Sequence, residues 1–129
     1  MLTTPSMTLP DFLDRYSIVK LKLERIGAVV KSEYEFYKTY FDNINNEQIS
    51  CYSDELYNIN AQIWDAEKDI RNGDKDEQFT ALEGWNLCLL VRDLNRKRNS
   101  IKNKIQEETG LGFKEVRVNI IANPDEEKS

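Results

Sequence analysis

Basic and amide side chains in the second half of the chain are the residues whose types point to binding chemistry. Asn95, Arg98 and Lys102 follow one another at spacings of three and four, so a helix places them on one side. Arginine and lysine donate hydrogen bonds to phosphate and carboxylate oxygens, and the arginine fork can make two parallel ones. Together with Lys22 from an earlier segment, these residues predict a binding site for an anionic small molecule.

Arg98 also has a structural interpretation. It occupies a place in the apolar stripe between Leu94 and Ile101, where a charge must be paired to be tolerated. We therefore expect Arg98 to meet Asp65 or Glu67 across a helix interface and to fix the register of the helices. The polar network predicted on this basis consists of Asp14, Asp65, Glu67, Asp69 and Arg98.

Metal-dependent and nucleophilic chemistry have less support. The carboxylates of Asp65, Glu67 and Asp69 would suit Mg²⁺, but on a helix Asp65 and Asp69 face one way and Glu67 another. The chain has no histidine, which excludes a Cys/His zinc site and histidine-based catalysis. Cys51 and Cys88 have no obvious base, and Cys88 is expected to pack as a small hydrophobe. We predict no catalytic residue, no metal and no cofactor.

Apolar residues recur at spacings of three, four and seven through most of the chain, which is the period of helices with one buried face. Whether residues 10–45 form one helix or two stays open, since a helix can contain a glycine at a cost of about 1 kcal/mol. The aromatic group from Tyr34 to Phe41 is expected to pack in the core or in a dimer. Helices are predicted from Pro10 to near Gly27, over residues 28–45, from Ser53 or Asp54 to Asn72-Gly73, and from Asp76 to Glu108.

The end of the chain changes period. Val116, Val118 and Ile120 alternate with polar residues, which is a strand pattern. A lone strand has unpaired backbone groups, so the extended tail over residues 113–121 is expected to pair with another copy or to pack as a strap across the bundle. Residues 1–8 are predicted to be a loose lead-in, and residues 122–129 a frayed end.

The composition of the chain limits the classes of protein to which it can belong. A chain of 129 residues predicts one domain over residues 1–129, and 40% hydrophobic with 32% charged content is typical of a globular protein. The net charge of −5 argues against a nucleic-acid binder. The longest apolar run, Leu87 to Val91, is too short to span a membrane, and no secretory signal is visible. We expect a cytoplasmic protein.

The predicted fold is all-α: an antiparallel bundle of three to four helices with one long C-terminal helix and a strand-like tail. That helix would be about 50 Å long at 1.5 Å per residue and would outrun partner helices of about 17 residues. A second copy of the chain would cover the part of its apolar stripe that extends beyond the partner helices. We therefore expect a homo-oligomeric, non-enzymatic interaction or accessory protein. The alternative is binding or hydrolysis of a nucleotide or other phosphorylated compound at Lys22, Asn95, Arg98 and Lys102.

Three segments together resemble a family of short bacterial and phage proteins of unknown function. Residues 12–26, FLDRYSIVKLKLERI, are similar to the family's opening, LLDKITILEIKSERI. Residues 63–71, IWDAEKDIR, are similar to its LWDIEDDIR segment, and residues 95–105, NRKRNSIKNKI, to its NDRRAALKREI segment. An extended tail follows in both. The resemblance implies a helical fold, and it implies no activity. The small size and the Asn/Lys/Tyr-rich composition would fit a phage or mobile-element origin.

Overall fold

The structure is a computed structural model that describes residues 6–73, 79–110 and 117–119. Four α-helices account for nearly all of these residues, which confirms the predicted all-α helical bundle. In chain order the elements are β1 (Ser6–Thr8), α1 (Leu9–Arg25), a 3-10 turn (Ala28–Val30), α2 (Lys31–Ile44), α3 (Glu47–Gly73), α4 (Ala81–Gly110) and β2 (Arg117–Asn119).

A glycine separates α1 from α2, so residues 10–45 form two helices. α1 begins after Thr8, whose Oγ1 accepts a hydrogen bond from the backbone N–H of Asp11 at 3.4 Å. At Gly27 the backbone φ is +109°, a conformation that residues with a side chain rarely adopt. The chain turns there and α2 runs back along α1, so that its tyrosines lie against the rings of Phe12 and Tyr16.

Asn46 caps α3, and the predicted cap at Ser53 or Asp54 was wrong. The Oδ1 atom of Asn46 accepts from the backbone N–H of Ile49 at 2.9 Å, and α3 then continues for 27 residues. Ser53 has the chemistry of a cap, but it is buried in the packed face of the helix. α3 is therefore nearly as long as α4, which has 30 residues. The expectation that α4 greatly outruns its partner helices is corrected by this length.

α4 begins at Ala81, five residues after the predicted Asp76, and Thr80 caps it. Oγ1 of Thr80 accepts from the backbone N–H of Glu83 at 3.1 Å, which satisfies one of the amide groups left over at a helix start. The buried residues of the predicted apolar stripe lie from Leu94 onward. Leu94 and Ile105 are buried, whereas Leu82 and Leu90 are exposed.

α1 lies at the centre of the bundle, in contact with α2, α3 and α4. It runs parallel to α3 and antiparallel to α4, and α3 and α4 form an antiparallel hairpin. α2 packs mainly on α1 and has no buried residue. The core consists of two clusters: Leu9, Phe12, Leu13, Tyr52, Leu56 and Ile105 at one end, and Ile59, Ile63, Ala66 and Leu94 further along α3 and α4.

The two short strands pair with each other. β1 and β2 are antiparallel, with Met7 opposite Val118. The strand pattern of the tail is therefore found at residues 117–119, but its partner is the start of the same chain and neither of the two expected partners. Residues 6–8, expected to be part of a loose lead-in, are strand. The remaining residues of the predicted tail and frayed end, 113–116 and 120–129, lie outside the described residues.

No helix in the described part of the chain combines the length and the apolar character needed to cross a membrane.

Candidate functional site

A buried polar network lies where α1 packs on α3. Asn60 donates from Nδ2 to Asp14 Oδ1 and to Ser17 Oγ, both at 2.8 Å. The Ser17 hydroxyl donates in turn to the backbone carbonyl of Asp14 at 2.7 Å. All three residues are buried, so these hydrogen bonds are shielded from water. They fix the register of α1 against α3, since a slip of either helix would leave buried polar groups without partners.

Lys102 joins α4 to the same network. Its Nζ lies 2.8 Å from Oδ1 of Asp11 and 3.7 Å from Oδ2 of Asp14. The hydrogen bond from Lys102 holds the pKa of Asp11 below its ordinary value. The ammonium group therefore faces carboxylates of the protein itself, which makes Lys102 part of an interhelical ion pair.

Arg98 lies one turn earlier on α4 and borders a cleft of about 250 Å³ between α1, α3 and α4. The Nε atom of Arg98 is buried, and within the described residues it has no hydrogen-bond partner. Trp64, Glu67 and one side of Asn60 complete the polar and aromatic lining. The apolar walls are formed by three aliphatic side chains, Ile18, Leu21 and Ile63. We call this the Arg98 cleft.

In the described part of the chain, the four residues predicted to share one ligand site have different surroundings. Arg98 borders the Arg98 cleft, whereas Lys102 borders a separate depression of about 580 Å³ beside the start of α1. Asn95 donates from Nδ2 to the carbonyl of Val91 in its own helix at 3.1 Å. Lys22 is half-buried on α1, and among the described residues its side chain makes no ion pair.

The acidic residues predicted for the polar network are also divided. Asp65 pairs with Arg25 at the end of α1 and not with Arg98. The hydrogen bond to Asp65 raises the pKa of Arg25, whose guanidinium also lies 5.8 Å from the ring centre of Trp64. Glu67 reaches the rim of the Arg98 cleft, and Asp69 is exposed.

Nucleophile and metal chemistry gain no support from the geometry. Cys51 and Cys88 are both exposed, so the expectation that Cys88 packs as a small hydrophobe was wrong. Within residues 6–73, 79–110 and 117–119, no three histidine, cysteine or acidic side chains are grouped as metal ligands would be.

Asn60 is the member of the site that the sequence analysis missed. A signal for it was present, because it lies four residues after Leu56 and three before Ile63, inside the buried stripe of α3. Like Arg98, Asn60 is a polar residue at an apolar position, so a buried hydrogen-bond partner is expected for it as well. Asp11 gave no such signal, since an acidic residue in the first turn of a helix is explained by the helix dipole alone.

A second surface lies on the outer face of α4, away from the core. Leu82 and Trp85 are 67% and 62% exposed. They are the first two of five residues that lie along the same side of the helix, separated in sequence by three, four, three and four positions. We call this set the outer stripe of α4: Leu82, Trp85, Leu89, Arg92 and Arg96.

Comparison of the chain with known protein families, with curated proteins and with solved structures found no match. The resemblance of three segments to a bacterial and phage family stays a prediction.

Proposed function

We propose that this chain is a non-enzymatic, cytoplasmic helical protein that acts by self-association, with the outer stripe of α4 as the contact between copies. The exposure of Leu82 and Trp85 is the observation that supports it. Large apolar side chains that are neighbours on an exposed helix face mark contact surfaces more often than solvated ones. The spacing of the outer stripe is that of a helix seam that packs on another helix.

The charge pattern of α4 favours an antiparallel α4 from a second copy as the partner of the outer stripe. The outer stripe is apolar at its start and basic at Arg92 and Arg96. In a parallel pair the basic residues of the two copies would lie side by side and repel, whereas in an antiparallel pair Trp85 of each copy comes opposite Arg92 of the other. That contact is attractive as a cation–π contact.

The basic side chains of the outer stripe are available for such contacts. Within the described residues, Arg92 and Arg96 form ion pairs only with Asp93, at 3.7 and 4.0 Å, and all three side chains are more than half exposed. Exposed ion pairs of this length contribute little free energy. A stable dimer buries on the order of 1,200 Å² or more in total, so the flanks of α4 must join the stripe in the contact.

Sedimentation equilibrium tests this function. The wild-type protein is expected to dimerise at tens of micromolar or below, and Trp85→Glu is expected to raise the dimer dissociation constant at least ~10-fold. Val29→Glu is the matched control, because Val29 is an apolar residue 82% exposed that lies outside the outer stripe. A wild-type protein that stays monomeric at these concentrations would contradict the proposal.

A pair of charge substitutions tests whether an antiparallel α4 of a second copy is what packs on the outer stripe of α4. Trp85→Arg is expected to weaken dimerisation, because it places a like charge opposite Arg92 of the other copy in the antiparallel pair. Adding Arg92→Glu places opposite charges there, and this double variant is expected to recover part of the affinity. If the double variant is no better than Trp85→Arg alone, the antiparallel arrangement of two α4 helices is wrong.

A further inference from the structure

Arg98, at the Arg98 cleft, carries a polar donor without a partner in the described part of the chain. Its Nε is buried, and it makes no hydrogen bond to any of the described residues. Buried donors are nearly always hydrogen-bonded in proteins, so the guanidinium of Arg98 still requires an acceptor. Arg98 borders a cleft that is open to solvent and already formed, through which an acceptor from outside the chain can approach the guanidinium.

The walls of the cleft set the character of the rest of the ligand. Ile18, Leu21 and Ile63 present aliphatic surface, and the ring of Trp64 closes one side. Small-molecule sites combine such apolar walls with a few polar groups that fix orientation. A volume of about 250 Å³ is below the range of sites for drug-sized ligands, so the ligand is small.

Glu67 restricts the charge of that ligand. Its exposed carboxylate lies at the rim of the same cleft, where it repels a second negative charge while Arg98 attracts the first. Lys102, which would help to neutralise a phosphate, is held by Asp11 and Asp14. The charge pattern therefore favours a singly charged acid over a phosphate or a dicarboxylate.

We infer that the Arg98 cleft binds a small monocarboxylic acid with an aromatic or branched apolar body, whose carboxylate accepts hydrogen bonds from Arg98. The apolar body lies against the aliphatic walls and Trp64. This site is separate from the outer stripe of α4 and does not depend on self-association.

Tryptophan fluorescence tests the inference with phenylacetate as the probe. The chain has two tryptophans, so Trp85→Phe leaves Trp64 in the cleft as the only reporter. Phenylacetate is expected to change the Trp64 emission saturably, with a dissociation constant of about 1 mM or tighter. No saturable change up to several times that concentration would overturn the inference.

Variants assign the effect to Arg98. Arg98→Met keeps the length of the side chain but removes its donors, and it is expected to weaken binding at least ~10-fold. Arg98→Lys, which loses the fork, is measured beside it in case the first variant does not keep its helical circular dichroism. Arg71→Met is the matched control, because Arg71 is exposed near the end of α3 and is expected to leave the affinity unchanged. Equal affinity in the folded Arg98 variants would overturn the inference.

Two further probes define the ligand class. 2-Phenylethanol has the same ring without the carboxylate and is expected to bind more weakly than phenylacetate. Inorganic phosphate is expected not to compete with phenylacetate at equal concentration, because Glu67 repels its second charge. Competition by phosphate at equal concentration would overturn the assignment to a monocarboxylate.

Discussion

At the scale of single residues, Asn60 connects the two helices whose register matters most. An amide is the side chain that can donate to a carboxylate and to a hydroxyl at once, and Nδ2 of Asn60 does both, to Asp14 and Ser17. Its neighbours on α3, Leu56 and Ile63, are buried and apolar. Hydrophobic packing alone would tolerate a shift along the helix, whereas paired polar groups in an apolar surrounding do not.

Replacing Asn60 by alanine should therefore destabilise the protein by about 1–3 kcal/mol, because it leaves the carboxylate of Asp14 and the hydroxyl of Ser17 without their donor. Urea unfolding followed by circular dichroism measures the change. Gln62→Ala is the control on the same helix, since Gln62 is exposed and its side chain donates to the backbone carbonyl of Asn58. If Asn60→Ala lowers the free energy of unfolding no more than Gln62→Ala does, the buried polar network adds little to stability.

At the scale of elements, the sequence predicted the existence of the helices better than their ends. The apolar period of α1 and α3 follows directly from the need to bury one face, and Phe12, Val19, Leu56 and Ile63 are indeed buried. The start of α3 was missed because Asn46 and Ser53 both have cap chemistry, and the choice between them depends on tertiary packing. Part of the site was missed for a related reason, since pairing between helices, such as Asp65 with Arg25, has no local signal.

The helix α2 should be the first to open. It lacks buried residues and packs mainly on α1, through half-buried rings such as Tyr37, which lies 5.7 Å from Phe12 between ring centres. Amide hydrogens of α2 are expected to exchange at least ~10-fold faster than those in the middle of α3. Hydrogen exchange with mass spectrometry measures both segments in one sample.

A variant pair tests the cause of that difference. Tyr37→Ala removes a ring contact with α1 and should accelerate exchange in α2 further, while the middle of α3 is unchanged. Thr39→Ala should have little effect, because Thr39 is exposed on the same helix and its hydroxyl donates to the backbone carbonyl of Glu35, also in α2. Equal protection of α2 and α3 in the wild-type protein would contradict this account of local stability.

At the scale of the whole molecule, the two ends of the bundle differ. α1 ends at Arg25, opposite Asp65, whereas α3 continues to Gly73, so the last turns of α3 pack on α4 without α1 beside them. The exposed Leu82 and Trp85 lie at this thinner end. At the other end, α1, α3 and α4 are held together by the larger core cluster. Polar contacts between ionisable groups, such as the hydrogen bond from Tyr52 to Glu108, also lie there. Self-association and pH sensitivity are therefore expected at opposite ends.

The pH sensitivity centres on Tyr52, which is 3% exposed at the thicker end. Its hydroxyl donates to Glu108 of α4 and accepts from Gln48 Nε2 at 2.6 Å. Burial, and then the hydrogen bond to Glu108, raises the pKa of Tyr52 to about 12. Because the folded state favours the protonated phenol, this stabilisation is fully present below the ordinary pKa of about 10 and is lost as pH rises through about 12.

Tyr52→Phe should therefore be less stable than the wild type near neutral pH, and the gap in free energy of unfolding should narrow between about pH 10 and 12. Urea unfolding at a series of pH values measures that gap. Tyr37→Phe controls for the loss of a hydroxyl, since it leaves the contact of Tyr52 with Glu108 intact. A gap that stays constant with pH would mean that the hydroxyl of Tyr52 contributes the same free energy in both ionisation states. The hydrogen bond to Glu108 would then not be the contact that holds α4 against α3 at this end.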